Sequence, residues 1–412
     1  MNPRPGSRFF YGWYIVVVAF FCNFMVTGTG FYTFNAFMEP LCATRGWTRE
    51  GINLALFFGG LVSLLGQYVH GTAIMRLGPR RYMVLGAAFS GLLFALMGKT
   101  QSFGLFLGVF ILLMVTNGMF GGIVANTVVN NWFIHKRGMA LGVAQVGMSL
   151  SGAVLPALAF KIYHAYDLQT AFLVLGIMLF CISPLCLLVI RDRPEPYGLV
   201  PDGKKFEIAP GSDSALSEKT LWSASSALST RVFWRVSISY ALAMTGVVGV
   251  MIQLKPRFSD LGFDAGTALT LMSATALLGA VGKYSWGMVC DRRDPPKMAA
   301  LMMLSCALGL GFGLYAKNFA LAVVFVAVFG FSMGGIQATL PIMIAHLFGR
   351  LSFTSIARFV ALVLAVQNTG YLFMGLSFRY TKSYDAAYWL FIVFYLIAAF
   401  LMYGVKRPLF KE

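Results

Sequence analysis

The sequence predicts an all-α membrane protein of twelve transmembrane helices in two six-helix halves. Three observations predict it. Of the 412 residues, 58% are hydrophobic and only 11% charged, against about 25% charged in soluble domains. Apolar runs of about 20 residues, the length that crosses a bilayer as a helix, recur along the chain. The basic residues gather in short joints between these runs and form no single stripe. The net charge of +17 therefore describes no nucleic-acid surface.

The runs lie near 11–37, 51–74, 82–98, 103–131, 139–160, 168–190, 236–254, 265–287, 298–316, 318–345, 359–378 and 386–405. The first opens at YGWYIVVVAFF, with Tyr11 and Trp13 where aromatic residues favour a membrane interface. It is long enough to span and reads as the first helix, not as a signal peptide. Residues 191–230 are rich in Pro, Gly, Ser and charge and read as a linker. The domains expected are thus 1–190, a linker at 191–231, and 232–412.

Orientation follows from the joints. Lys283 set aside, odd-numbered joints carry nine Lys and Arg residues, and even-numbered joints with the termini carry twenty-two. The positive-inside rule puts both termini in the cytoplasm. The six cysteines show neither a zinc spacing nor a disulfide framework. No catalytic triad, metal cluster, phosphate loop or Walker motif is present, so an enzyme, a cofactor and ATP drive are not expected.

The halves share a signal. The joint after span 2 reads GTAIMRLGPRR, residues 71–81, and that after span 8 reads GMVCDRRDPPK, residues 287–297. Each starts with a glycine and carries an arginine five positions on, Arg76 and Arg292. Repeated halves are the build of alternating-access transporters, with substrate bound at the midplane.

The chain here resembles a major facilitator superfamily transporter, whose loop motif is G-x-x-x-D-R-x-G-x-R-R. The first copy keeps Gly71, Arg76, Gly78, Arg80 and Arg81, with Met75 in the acidic place; the second keeps Gly287, Asp291 and Arg292. Within that superfamily it resembles the monocarboxylate transporters and the oxalate/formate antiporter type. YGWYIV at 11–16, NWFIHKRGMALGVAQVGMSLSG at 131–152 and RPEPYGLVPDG at 193–203 carry this likeness. The resemblance implies twelve helices, a small carboxylate as substrate, possible coupling to a proton, and gating by the loop motifs.

Polar residues inside spans are the candidate site. An ionisable group in hydrocarbon costs on the order of 3 kcal/mol. All fifteen acidic residues fall in joints, termini or the linker, whereas Lys283 lies well inside span 8 in GKYSWG. The resemblance places Lys283 where the family has a carboxylate-binding arginine in a GR..WG frame. Lysine offers a point charge without a bidentate fork, and unlike arginine it can release its proton. A snorkelling lysine is the alternative, since Asp291 is eight residues on.

The further candidates for substrate are Tyr32, Asn117, Gln145, Gln253, Gln367, Asn368 and Tyr371, with Asn23, Asn126 and Tyr240 weaker. A buried amide serves an interhelical hydrogen bond as readily as a ligand. Arg358, His70 and His346 read as interfacial. One cation suits a monoanion, since a second carboxylate would stay desolvated and unmatched. The function expected is a secondary transporter of a small organic monoanion by proton symport or exchange, acting as a monomer among membrane lipid. A membrane sensor on a transporter scaffold is the alternative.

Overall fold

The computed structural model describes residues 10–203 and 222–408. The linker residues 204–221 and both chain ends lie outside the described residues. All twelve predicted spans are helical. Eleven helical segments among the described residues are long and apolar enough to cross a membrane. The eighth span is a helix of 28 residues, Ala265–Arg292, whose threonines, serines and Lys283 dilute its apolar character.

In the first half, α1 (Gly12–Thr27) runs through a π turn (Gly28–Tyr32) into α2 (Thr33–Arg45). Helices α3 (Arg49–Leu77), α4 (Pro79–Met97), α5 (Phe103–Gly118), α6 (Ile123–Trp132), α7 (Arg137–Ala165), α8 (Leu168–Phe180) and α9 (Ile182–Val189) follow. After a short α10 (Ala224–Leu228) come α11 (Arg231–Ile252), α12 (Leu254–Asp260), α13 (Ala265–Arg292), α14 (Pro295–Leu314) and α15 (Phe319–Phe348). The eleventh span is α16 (Phe353–Leu364), a 3-10 turn (Ala365–Asn368) and α17 (Thr369–Thr381); α18 (Asp385–Met402) is the last.

Starts and breaks have local causes. Thr48, Asp167, Thr230, Asp264 and Asn318 each accept a backbone N–H from the first turn of the helix they precede, which satisfies donors that a helix start leaves open. Pro79 and Pro295 occupy first helical positions, where a missing N–H costs nothing. The fourth predicted span is broken between Gly118 and Ile123 by MFGG, with Gly122 at φ +53°. A side chain at that φ is strained, so the sequence supplies glycine.

Contacts divide the chain into two compact units: Met1–Ile134 with Val143–Glu207 and Ala357–Leu362, and His135–Gly142 with Ile208–Ile356 and Val363–Glu412. The first buries an aromatic core in which Phe34 lies 5.0 Å from Phe110 and Phe37 lies 4.5 Å from Phe172, centroid to centroid. In the second, α13 packs on α15 through glycines: a methyl group at Gly334 would lie 2.7 Å from the Gly279 carbonyl carbon.

Candidate functional site

The second unit carries the buried cation. Lys283 is 4% exposed in α13. Its backbone is tightly confined, since a methyl group at Gly142 would meet the Lys283 carbonyl oxygen at 2.6 Å. One turn on, the Trp286 ring lies 5.8 Å from Phe331, and its buried indole N–H has no hydrogen-bond partner among the described residues. Gln253 joins α11 to α12 and accepts a hydrogen bond from the Tyr384 hydroxyl at 3.3 Å. Gln367 and Asn368 sit on the 3-10 turn, half-exposed, and this turn packs against α11. Tyr371 is exposed on α17. Tyr240 is buried with its hydroxyl 2.9 Å from that of Thr339, so that group is already engaged.

The first unit holds the other three candidates. Asn117 is the last residue but one of α5 and is 2% exposed; neither atom of its amide has a hydrogen-bond partner among the described residues. It faces the π turn, where a methyl group on Gly30 would lie 3.6 Å from Asn117 Nδ2. The Tyr32 ring lies against Gly152, whose added methyl would meet it at 3.1 Å. Gln145 is buried in α7. Asn23 donates to the Ala144 carbonyl at 3.0 Å, which ties α1 to α7 and leaves little for a ligand.

Two groups expected at the interface are packed against protein side chains. His70 is 1% exposed. Its Nδ1 is 2.8 Å from the Tyr82 hydroxyl, and Nε2 has no hydrogen-bond partner among the described residues. Position along a span says nothing about facing, and α3 turns this residue onto α4 and Gly118. Arg358 is packed on α3: its guanidinium donates to Thr72 Oγ1 at 2.6 Å and lies 5.1 Å from the Tyr68 ring centre. His346 is half-buried, and its carbonyl accepts from Arg407 Nη2 at 2.6 Å.

The two loop motifs are built differently. Asp291 accepts the Gly138 N–H at 2.6 Å and the Met139 N–H at 2.8 Å. A carboxylate thereby caps the start of α7, where backbone donors and the helix dipole favour an anion. A methyl group at Gly287 or Gly138 would overlap the other's carbonyl oxygen. In the first copy Met75 is exposed and Gly71 lies under the Arg358 side chain. Gly78 adopts φ +78°, and the next residue but one, Arg80, donates its N–H to Asp192 at 2.8 Å.

Sequence reasoning missed several partners. Asp192 and Asp202 belong to the segment after span 6; Asp202 accepts the Ile134 N–H at 2.9 Å. Only their being acidic in a Pro/Gly-rich run hinted at capping. Arg257 read as a joint charge, yet it is 5% exposed, paired with Asp385 at 2.5 Å and 5.2 Å from the Tyr388 ring centre. No group of three His, Cys, Asp or Glu among the described residues is placed to hold a metal.

Residues 19–377 match the family model described as Major Facilitator Superfamily. The chain belongs to that superfamily. It is 23% identical over 353 residues to the oxalate:formate antiporter of Oxalobacter formigenes, covering 84% of this chain and 81% of that protein. It is 23% identical over 401 residues to monocarboxylate transporter 13 of Rattus norvegicus, covering 94% and 87%. A membrane sensor protein of Salmonella typhimurium is 26% identical over 267 residues, covering 62% and 59%. The solved structure of a human organic anion transporter superposes with a TM-score of 0.71 at 14% identity, over 95% of this chain and 99% of that one. The superfamily fold is thereby shared along both halves.

Proposed function

We propose that this superfamily member is a secondary transporter of a small organic monoanion, a monocarboxylate such as lactate, pyruvate or a related acid. It moves its substrate by alternating access, as proton symport or anion exchange, in a prokaryotic inner membrane with both termini cytoplasmic. The observation that carries this reading is Lys283, a cation 4% exposed in the interior of a membrane helix. Such a group is costly in hydrocarbon and marks a substrate or ion path. The named activities of two relatives, monocarboxylate and oxalate:formate transport, support a carboxylate as its counter-charge.

Lysine in place of arginine narrows the class. A single ammonium matches one carboxylate, and a second would remain unpaired in an apolar surround. The loop motifs Gly71–Arg81 and Gly287–Arg292 would gate the cycle. Uptake of labelled monocarboxylates into proteoliposomes tests the reading: Lys283→Ala abolishes it, and Lys283→Arg retains part. Uptake by Lys283→Ala equal to the wild type would sink it. The similarity to a membrane sensor favours one second reading, sensing on a transporter scaffold. Substrate binding without flux in the same vesicles would select it.

A further inference from the structure

We infer that the groove between α13 and α15, at the Asp264 end, holds a membrane phospholipid with a primary-ammonium headgroup, phosphatidylethanolamine, one acyl chain of which lies between the two helices. The inference is independent of the carboxylate reading above.

The groove encloses about 590 Å³, within the range of about 300–1,000 Å³ that small-molecule sites occupy. All of its lining residues belong to the second unit. Its wall changes character with depth. Asp264, Thr267 and Thr270 line it at the start of α13. Leu271, Ala274 and Leu278 follow, with Val323, Val326 and Ala327 of α15 as the second wall. The fourteen residues from Asp264 to Leu278 measure about 21 Å along a helix. Half a bilayer with its headgroup zone is about 20–22 Å thick. Asp264 closes the polar joint before the eighth span, so the polar end of the groove falls at the headgroups and the apolar part among the chains. This is a different face from that of the buried cation. Lys283 lies five residues past Leu278, about 140° further round the helix at 3.6 residues per turn.

The mouth sets the headgroup. Asp264 is exposed and accepts the Thr267 N–H at 3.0 Å and its hydroxyl at 2.6 Å. These bonds hold its carboxyl below the ordinary value of 3.8, so it is charged at neutral pH. No Lys or Arg pairs with it among the described residues. Thr267 spends its hydroxyl hydrogen on Asp264, and Thr270 spends its own on the Gly266 carbonyl at 2.9 Å. The three side chains therefore offer acceptors and a negative charge, and no donor. A primary ammonium carries three donors and no acceptor, which matches the mouth in charge and in hydrogen bonding. A trimethylated headgroup brings the charge without a donor. A phosphatidylglycerol headgroup carries no positive charge and sets its phosphate against Asp264. The bilayer around a membrane helix supplies the acyl chain at the depth where the apolar walls begin.

Thermal unfolding of the full chain in detergent, with phosphatidylethanolamine, phosphatidylcholine or phosphatidylglycerol of the same chains added, tests this. Phosphatidylethanolamine raises the unfolding temperature by about 3 °C more than either of the others. Asp264→Asn keeps an acceptor for the helix start and brings that rise down to the phosphatidylcholine value. Ala274→Trp fills the groove and removes the extra rise, whereas Leu308→Trp, on an exposed position of α14, keeps it. Equal rises with all three lipids overturn the inference, as does an extra rise that survives Asp264→Asn or Ala274→Trp. Should Ala274→Trp fail to fold, Ala327→Trp decides from the other wall; failure of both shows that the groove lacks room for a chain and overturns the inference too. A rise produced by a free monocarboxylate and lost in Ala274→Trp would make the groove a substrate site. A dimer seen by light scattering and dispersed by Ala274→Trp would make it a contact between copies. Either result overturns the inference.

Discussion

The two loop motifs, alike in sequence, solve one structural problem with opposite materials. Around Gly287 the contact is backbone on backbone, and Asp291 fixes the start of α7 through two N–H groups. Around Gly71 the contact is backbone on side chain. Arg358 lies over it, with its guanidinium on Thr72 Oγ1 and 4.9–5.1 Å from the ring centres of Phe359 and Tyr68. The second copy is an anion on a helix start, stiff because backbones cannot yield. The first is a cation on aromatic faces, looser because the approach to Gly71 is less close. Met75, in the acidic place of the first copy, is exposed, and the contact at Gly71 is made by a side chain from a distant helix.

The largest effect that could break this comparison is a single methyl group. Gly287→Ala drives a Cβ into the Gly138 carbonyl, and backbone must shift. Overpacking of that kind costs about 1–3 kcal/mol. Gly71→Ala meets Arg358 Cβ at 2.8 Å and Cδ at 3.5 Å, a less close approach than the overlap of backbones at Gly287. Thermal unfolding in detergent should show a clearly larger fall for Gly287→Ala. Equal falls would mean that the two copies are equally stiff.

Comparable in size is the charge itself. Asp291→Ala removes an anion from two backbone donors, and hydrogen bonds to charged groups contribute about 1.5–3 kcal/mol. Asp291→Asn should lose less, since its amide oxygen still accepts. Restoring the acid in the other copy, Met75→Asp, should change stability by less than about 1 kcal/mol, because the position is exposed and ends a helix where an anion gains nothing from the dipole. A strong stabilisation by Met75→Asp would show that the first copy still holds a vacant acidic site.

Most of the fold was readable because its cause is linear in the sequence. A bilayer demands long apolar runs, and each predicted run is helical. The helices overrun those runs, as in Arg49–Leu77 against 51–74, since polar caps continue a helix beyond its apolar part. The candidate site was readable only in part. Lys283 announced itself by charge in an apolar context. His70, Arg358 and Arg257 did not, because their placement depends on which helix face meets which neighbour. The π turn at GTGFY leaves two glycines as its only trace, and nothing in them specifies an extra residue per turn.

Arg358→Lys separates charge from stacking at the first copy. Lysine keeps the cation but loses the planar group that lies on Tyr68 and Phe359. Contacts of this sort contribute about 0.5–1 kcal/mol at accessible sites. The expected drop is thus smaller than for Asp291→Ala. An unchanged unfolding temperature would show that charge alone holds this copy together, and the contrast between the two copies would shrink to the sign of the ion.

The smallest effect concerns caps that both units build alike. Asp167 accepts the Thr170 N–H at 2.6 Å ahead of α8, and Asp264 accepts the Thr267 N–H at 3.0 Å and its hydroxyl at 2.6 Å ahead of α13. These are local and solvent-exposed, unlike the long-range caps from Asp192 and Asp291. The hydrogen bonds from Thr170 and Thr267 hold both carboxyls below the ordinary value of 3.8. A carboxyl whose folded pKa is depressed adds stability that is fully present above its unfolded pKa and is lost as pH falls through the folded value. Asp264→Ala and Asp167→Ala should therefore lower the unfolding temperature at pH 7 by similar small amounts. Both differences should shrink as the pH falls below about 3.8. A difference that persists undiminished at pH 3 would mean that these side chains hold their helices by something other than an ionised cap. Unequal differences at pH 7 would extend the asymmetry of the loop motifs to the local helix caps of the two units.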